Sequence, residues 1–296
     1  MGDESTPPAD VFDLVGNEIR ADVIETLQDA YRDGDRSLSY ATLQSRVGIR
    51  DSGRFNYHLQ RLVGRFVAKN GSDYALTYAG RKVASAIAAG TYNARTTVAP
   101  EPVDGTCYAC GESSLTVSYS GEQFRITCEA CGEEVVHMPF PPGAVEGRDA
   151  TELQRAFDRW ARAWNALAAA GVCPECGGPA TATLARDAGE LTIGNVDVRA
   201  VVDCTRCWMR GYLPVGCLLL EHPAVAAFYW RHGRDVRAAG IWEHEWALAE
   251  SFQTVVDDDP YVLELAVPLD AAELRVTVDD SLRVLDTVER RDCDEG

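Results

Sequence analysis

Lysine is almost missing from this sequence. Of its 28 basic residues all but Lys69 and Lys82 are arginine, against 46 acids, and the formal charge over 296 residues is −18. Carboxylates in excess with so little lysine suit a surface that stays hydrated and self-repelling in molar intracellular salt. The acids are spread along the chain and are not gathered into a block that would mark a patch for one basic partner. Long apolar runs are missing too. Nowhere do about 18 apolar residues follow one another, which leaves no candidate membrane span. The opening MGDESTPPAD is acidic and polar, without the apolar stretch of a signal peptide. The expectation is a cytoplasmic protein with no membrane partner. Catalytic signatures are absent as well: no phosphate-cradling loop, no nucleophile beside a base, no three-ligand metal site with an open position. The sequence therefore reads as a binding protein and not an enzyme.

Cysteine is absent from residues 1–106 and then occurs ten times. In a reducing compartment, cysteines spaced in pairs point to metal rather than to disulfides. Apolar content of 46% and charged content of 25% are ordinary for a globular protein, and 296 residues exceed the usual single domain. The chain reads as α+β, with an N-terminal domain over 1–95, a Pro/Thr linker over 96–102 and a cysteine module over 103–140. A C-terminal domain over 141–296 holds a second cysteine module (172–214), helices and a small antiparallel sheet.

Phe12, Leu14, Val15, Ile19, Val23, Leu27 and Ala30 recur at helical spacing, with Asn17 placed as a cap after Gly16. A Gly/Asp-rich loop follows at Arg32–Arg36. Ser39 then caps a short helix to Val47, with Leu43 and Val47 inward, and Gly48–Arg50 makes a tight turn. Asp51 or Ser52 caps the next helix, which buries Phe55, Leu59, Leu62 and Val63. Helix, short turn, helix is the helix-turn-helix pattern. FVAKNGSDYALT reads as two strands joined at Asn70-Gly71, and Thr77 caps a last helix that stops at Gly90. The expected fold of this part is a winged helix-turn-helix.

Its charge departs from that of the whole chain. From Ser39 to Arg95 there are nine basic residues and two acids, Asp51 and Asp73. With Phe55, Leu59 and Leu62 inside, the second helix of the motif presents Ser52, Arg54, Asn56, Tyr57, Gln60 and Arg61. These side chains can read base edges in a major groove or hold phosphate. Arg65, Lys69 and Asn70 fall at the hairpin, where phosphate or minor-groove contact is natural. A carboxylate on such a face would repel phosphate, and none is there. His58 borders the buried side and reads as a packed histidine.

The segments LVGNEIRADVIETL, SGRFNYHLQRL and YALTYAGRKV resemble winged-helix repressors of the ArsR type, and their haloarchaeal relatives in particular. Asn56, His58 and Leu59 match the family pattern on the recognition helix, and Leu76, Thr77 and Gly80 match its entry to the last helix. The resemblance covers about the first 95 residues. It implies double-stranded DNA as partner and a homodimer as the binding form. Many such repressors sense metals through cysteines on the recognition-motif helix; with no Cys before residue 107 that mode does not carry over. A winged helix followed by a zinc ribbon also resembles archaeal transcription factor E, which implies a polymerase-associated basal factor as the alternative.

Four Cys-x-x-Cys pairs follow: Cys107/Cys110, Cys128/Cys131, Cys173/Cys176 and Cys204/Cys207. Each pair spans a tight turn, and four thiolates satisfy tetrahedral zinc. Between the first two pairs lie 17 residues with hairpin alternation, SSLTVSYSG and EQFRIT; between the last two lie 27, with strand-like ATATLA, ELTIG and VRAVVDC. Two zinc ribbons with one structural ion each are expected. Sequential pairing needs the smallest loops, and spacing leaves interleaved pairing open. Trp208 stands where the other pairs carry Gly. Cys217, within VGCLLL, reads as buried, and Cys293 lies in the acidic tail. In Glu243-His244-Glu245 adjacent side chains point apart, which argues against a metal site.

Farther on, Asp149 and Glu152 make a capping box for a helix to about Ala170, with an apolar stripe of Leu153, Phe157, Trp160, Trp164 and Leu167. PAVAAFYWRHG and IWEHEWALAE read as further helices, and His222 caps the first. Leu263, Leu265 and Val267, then Leu274, Val276 and Val278, then Leu282 and Val284 alternate as a one-sided meander turning at Asp279-Asp280. Trp160, Trp164, Phe228, Trp230 and Trp242 suit core packing better than an effector pocket. The functional expectation is a sequence-specific transcriptional regulator. Its zinc-stapled C-terminal region would serve dimerisation, sensing of an effector ligand or contact with the transcription machinery.

Overall fold

The apolar periodicity of the N-terminal segment breaks at Gly16-Asn17, and the helix breaks with it. In the computed structural model, which describes residues 7–92, 95–186 and 198–291, α1 (Pro8–Val15) and α2 (Glu18–Arg32) replace the single helix that the spacing suggests. Asn17 holds the N-cap position of α2, yet its side chain makes no capping bond. Phe12 is exposed. The chain divides into two compact units, Met1–Ala94 with Pro141–Gly143, and Arg95–Phe140 with Ala144–Gly296. The expected ELTIG strand and Cys293 lie outside the described residues.

In the first unit α2 is followed by β1 (Leu38–Ser39), α3 (Tyr40–Val47), α4 (Ser52–Leu62), β2 (Val67–Asn70), β3 (Asp73–Leu76) and α5 (Tyr78–Ala88). The starts of α3, α4 and α5 each have a side-chain reason. Ser39 Oγ accepts from Thr42 N at 3.3 Å, Asp51 from Gly53 N and Arg54 N at 2.9 and 3.0 Å, and Thr77 from Gly80 N at 3.1 Å. Gly48 closes α3 in the left-handed conformation. Phe55, Leu59 and Leu62, one apolar stripe of α4, pack with Val23, Ile24 and Leu43 in the core; Val63 is only half-buried. The strands form a sheet in the order β1-β3-β2, with Asn70 paired to Asp73 across the tip. At Gly80 a Cβ would fall 2.1 Å from the Phe66 carbonyl oxygen, so α5 can lie against the hairpin only with glycine there.

The second unit opens with β4 (Val98–Val103), β5 (Leu115–Ser120), β6 (Gln123–Cys128) and β7 (Glu134–Pro139), paired in that order as an antiparallel sheet. The residues read as a linker, 96–102, thus supply most of an edge strand. Pro100 and Pro102 are tolerated there because an outer strand has one unpaired side. The helix α6 (Ala150–Ala169) starts from the expected capping box, with Glu152 N donating to Asp149 Oδ1 at 2.8 Å and Asp149 N to Glu152 Oε2 at 3.3 Å. Twenty residues make it about 30 Å long. Its Phe157 ring stacks on Phe124 of β6, centroids 3.8 Å apart and planes 6° apart, with Phe140 edge-on. Leu167, the last of the expected stripe, is exposed.

Beyond α6 come β8 (Ala180–Arg186), β9 (Val198–Cys204) and β10 (Arg210–Leu213), a sheet in the order β10-β9-β8, then α7 (Val215–Leu219), α8 (Pro223–Arg231) and α9 (Glu245–Leu248). IWEHEWALAE thus yields only a four-residue helix. The chain ends in the meander β11 (Gln253–Asp258), β12 (Tyr261–Leu269), β13 (Ala272–Asp279) and β14 (Val284–Arg291). Leu263, Leu265, Val267, Leu274, Val276 and Val278 all point into the core. Leu282 belongs to the turn, and β11 is a strand the alternation did not reveal. Among the described residues no helix is long and apolar enough to cross a membrane.

Two buried polar clusters fix how these layers meet. Arg162, 5% exposed, bonds Asp158 through Nε at 3.1 Å, Glu221 through Nη1 at 3.0 Å, and the Val236 and Ala239 carbonyls through Nη2. Asp158 also accepts from Ile241 N at 2.9 Å. Burial raises the Asp158 carboxyl even so, which marks how far the pair is from water. His244 sits between Val236 O, 2.8 Å from Nε2, and Tyr229 OH, 3.5 Å from Nδ1, with Trp246 donating to the same hydroxyl. That packing, rather than a metal, explains the Glu-His-Glu run.

Arg162→Leu should destabilise the second unit by about 3–5 kcal/mol, because Asp158 and Glu221 lose their partner in a dry site. Adding Asp158→Asn, which keeps an acceptor for Ile241, should restore a large part in urea unfolding; no restoration would show that the arginine acts through its stem alone. Burial above all lowers His244 from 6.5 to about 4. The unfolded chain therefore takes up a proton that the folded chain refuses between those values. Stability from this source is complete above pH 6.5 and is lost as pH falls toward 4. Against wild type, His244→Gln should flatten that arm of the stability curve by about 3 kcal/mol.

Candidate metal centres and nucleic-acid interface

The cysteine pairs associate sequentially. Cys107, Cys110, Cys128 and Cys131 form one cluster and Cys173, Cys176, Cys204 and Cys207 the other, with all sulfurs of a cluster within 4.8 Å of one another. The measured separations are 3.8 Å for Cys107–Cys131, 3.7 Å for Cys110–Cys128, and 3.6 Å for both Cys173–Cys207 and Cys176–Cys204. Thiolates about 2.3 Å from a tetrahedral ion lie about 3.8 Å apart, so both sets of residues fit one. Backbone N–H groups support the sulfurs as well. Gly178 N lies 3.3 Å from Cys176 Sγ, and Arg206 N lies 3.4 Å from Cys204 Sγ. The N–H of Cys207 is foremost among the groups that lower the Cys204 thiol to about 6. With four sulfur donors each, the clusters leave no open position for substrate, and the arrangement suits a structural ion in each of two ribbon-like modules.

The two modules are seated differently. Cys107 and Cys128 belong to the large core of the second unit, whereas Cys173 and Cys204 join a small cluster with Trp164, Ala168 and Leu218. Three of the four turns place a glycine in the left-handed region just after the second cysteine: Gly111, Gly132 and Gly177, with φ of 75°, 80° and 69°. Trp208 takes the same conformation at φ 61° and leaves its ring 85% exposed. Cys217, in α7, is fully buried and pushed up to about 12 by that burial, which makes it an inert core residue.

On α4 the side chains opposite Phe55, Leu59 and Leu62 are exposed: Ser52, Arg54, Asn56, Tyr57, Gln60 and Arg61. The Ser52 hydroxyl is engaged by Gln44 Nε2 at 3.0 Å and so ties the first residue of α4 to α3. Among the described residues the guanidinium groups of Arg54 and Arg61 make no ion pair and no hydrogen bond, while arginines of the second unit such as Arg162, Arg231 and Arg275 are paired to carboxylates. Gln60 and Asn56 bond each other at 3.4 Å. Lys69 and Asn70 are exposed on the hairpin, the Lys69 ammonium 5.7 Å from the Tyr74 ring centre, and Arg65 is half-buried. His58 is half-buried, and its pKa is lowered, by burial first and then by Arg20 and Arg54.

The aromatic cluster seen in the sequence is divided. Phe228 and Trp242 are core residues and Trp230 is exposed, while Trp160 and Trp164 border a cavity of about 320 Å³ in the second unit. Its other walls come from β7 and β10, and no motif joins segments so far apart in sequence.

Residues 104–284 match the family described as a domain of unknown function (DUF7351), and residues 8–87 match a second such domain (DUF7347). No curated protein matches the chain, and neither does any solved structure.

The purified protein should carry two metal ions per chain by elemental analysis, one for each cysteine cluster. Cys128→Ser and Cys204→Ser should each remove one, but only Cys128→Ser should collapse the main melting transition, since its cluster is built into the large core. Equal damage from both would show that the second module is not a satellite. Trp208→Gly should stabilise its module by about 1 kcal/mol by relieving the left-handed strain, read as a rise in melting temperature with metal content unchanged.

Proposed function

The chain belongs to the DUF7351 family, a membership that assigns no activity, and from its surface chemistry we propose that it is a sequence-specific DNA-binding transcriptional regulator. In this reading the first unit is a winged helix-turn-helix of ArsR type, with α4 as the recognition helix in the major groove and the β2–β3 hairpin as the wing. The observation that carries it is the acid-free outer face of α4. Arg54 and Arg61 stay without a carboxylate partner in a chain of charge −18. Arginine reads guanine through two hydrogen bonds, and the amides of Asn56 and Gln60 suit adenine. Zinc is the ion that four thiolates select, and it would staple the C-terminal region in which dimerisation, effector sensing or contact with the transcription machinery resides. The protein binds rather than catalyses, as a homodimer, in the cytoplasm.

A polymerase-associated factor resembling archaeal transcription factor E is the second reading, favoured by the order of a winged helix followed by a cysteine module.

Genome-wide occupancy of the tagged protein in cells at native salt separates the two. A few sharp peaks over one palindromic motif, lost in Arg54→Ala/Arg61→Ala, are the expected result. On isolated operator DNA each arginine removed should weaken binding by about 1–3 kcal/mol. Diffuse signal that follows active promoters and survives the double substitution would replace the regulator by the polymerase factor.

A further inference from the structure

The cavity beside Trp160 and Trp164 is built like a binding site. It lies between two sheet edges: β7 is the outer strand of its sheet, β10 is the outer strand of the other, and α6 closes the space with Phe157, Trp160, Ala161, Trp164 and Asn165. These five recur at three- and four-residue steps, so they share one face of the helix. Met138 of β7 and Met209, just before β10, also line the cavity, and their side chains adapt to flat rings. The volume, about 320 Å³, falls within the range of small-molecule pockets.

Its polar groups are few and unequal. Asn165 is only 6% exposed, and among the described residues its amide makes no hydrogen bond. Every other buried charged or polar side chain on α6 is used: Asp158 and Arg162 bind each other and the loop beyond. An amide that lines the cavity without a protein partner is free to bond a ligand edge bearing a donor or acceptor. Charge at the rim is also lopsided. Arg210 is held by Asp203 through two bonds of 2.6 and 3.1 Å. Glu134 is within 3.5 Å of Arg125 and 3.3 Å of His137. Among the described residues Glu175 has only the Trp164 indole N–H, at 3.4 Å. One carboxylate without a cation thus stands beside two indole rings, and ring faces attract positive charge as well.

We propose that this cavity binds a planar aromatic cation whose ring lies against Trp160 and Trp164, with a hydrogen-bonding edge toward Asn165 and its positive end toward Glu175. The assignment rests on the pocket alone and stands whether or not the protein binds DNA.

The test uses the full-length, metal-loaded protein in molar KCl and two probes on one tricyclic frame. These are proflavine, a cation with exocyclic amines, and acridine-9-carboxylate, an anion, each titrated by calorimetry and by tryptophan quenching. Proflavine should bind once per chain and the anion at least tenfold more weakly. Asn165→Leu, which keeps the branched four-atom side chain without its polar groups, should weaken proflavine about tenfold, the loss of one hydrogen bond, while leaving metal content unchanged and the melting temperature equal or higher. Glu175→Gln keeps the shape and the acceptor for the Trp164 indole at an exposed residue and should abolish the preference for cation over anion with metal content unchanged. Binding of the anion as tightly as the cation would overturn the charge class. Absence of proflavine binding, or binding indifferent to both substitutions, would overturn the site.

Discussion

One helix has to bury adjoining faces against two small sheets, and most of the second unit follows from that demand. On α6 the Phe157 ring lies flat on Phe124 of the first cysteine module, while Trp164 and Ala168 pack with Cys173 and Cys204 of the second. A sheet of three or four short strands cannot bury enough apolar area to stand alone. Each therefore leans on the same helix and is tightened at its far end by a cysteine cluster. The buried Arg162 sets the helix against the rest, since its donors reach Glu221 on one side and the Val236 and Ala239 carbonyls on the other. An ion pair of this kind adds little net stability over a well-packed apolar substitute. What it supplies is direction: only one placement of the helix satisfies all of those acceptors together.

The cavity is a consequence of the same demand. Two sheets that share one helix as a wall bring their outer strands, β7 and β10, to its flanks without pairing them. The space left between them is the cavity of about 320 Å³. Evolution commonly fills such a gap with a larger residue, yet α6 places an amide there. That amide lines the cavity and is free to bond whatever enters it, which is what the proposed ligand site uses.

Features carried by local chemistry were legible in the sequence. Caps at Ser39, Asp51, Thr77 and Asp149 and the alternation of β12 and β13 each depend on residues a few positions apart, and each appears as read; the hairpin is there too, but its two-residue turn falls one step on from Asn70-Gly71, at Gly71-Ser72, because Asn70 pairs with Asp73. Sequential pairing of the cysteines was favoured by loop length but needed the sulfur distances to settle. Misreadings came where two local signals compete. Prolines around Thr96–Pro102 suggested a linker because they cannot donate to a ladder, yet an edge strand asks for donors on one side only. Gly16-Asn17 broke a helix whose apolar spacing ran through it, and Asp257–Asp259 masked the end of β11. The cavity was beyond reach for a different reason. Trp160 and Asn165 are separated from Met138 and Met209 by folds of the chain that no periodicity encodes.

Charge gives the final constraint on the proposed DNA contact. At molar ionic strength the screening length is about 3 Å, so a remote acid neither repels nor a remote arginine attracts. Overall charge then says little about partners, and a chain at −18 is free to approach a polyanion. What remains decisive is the first layer of contact, where a single carboxylate would meet phosphate with no ions between. Acids are missing from that layer on α4, and they are common elsewhere on the surface. Salt adaptation and nucleic-acid recognition are therefore compatible on one molecule, because the first acts over the whole surface and the second only where atoms touch. In the proposed complex, by the same reasoning, affinity gained through counterion release would be small, and selectivity would rest on the hydrogen bonds of Arg54, Asn56, Gln60 and Arg61 and on the pairing of two such helices on one site.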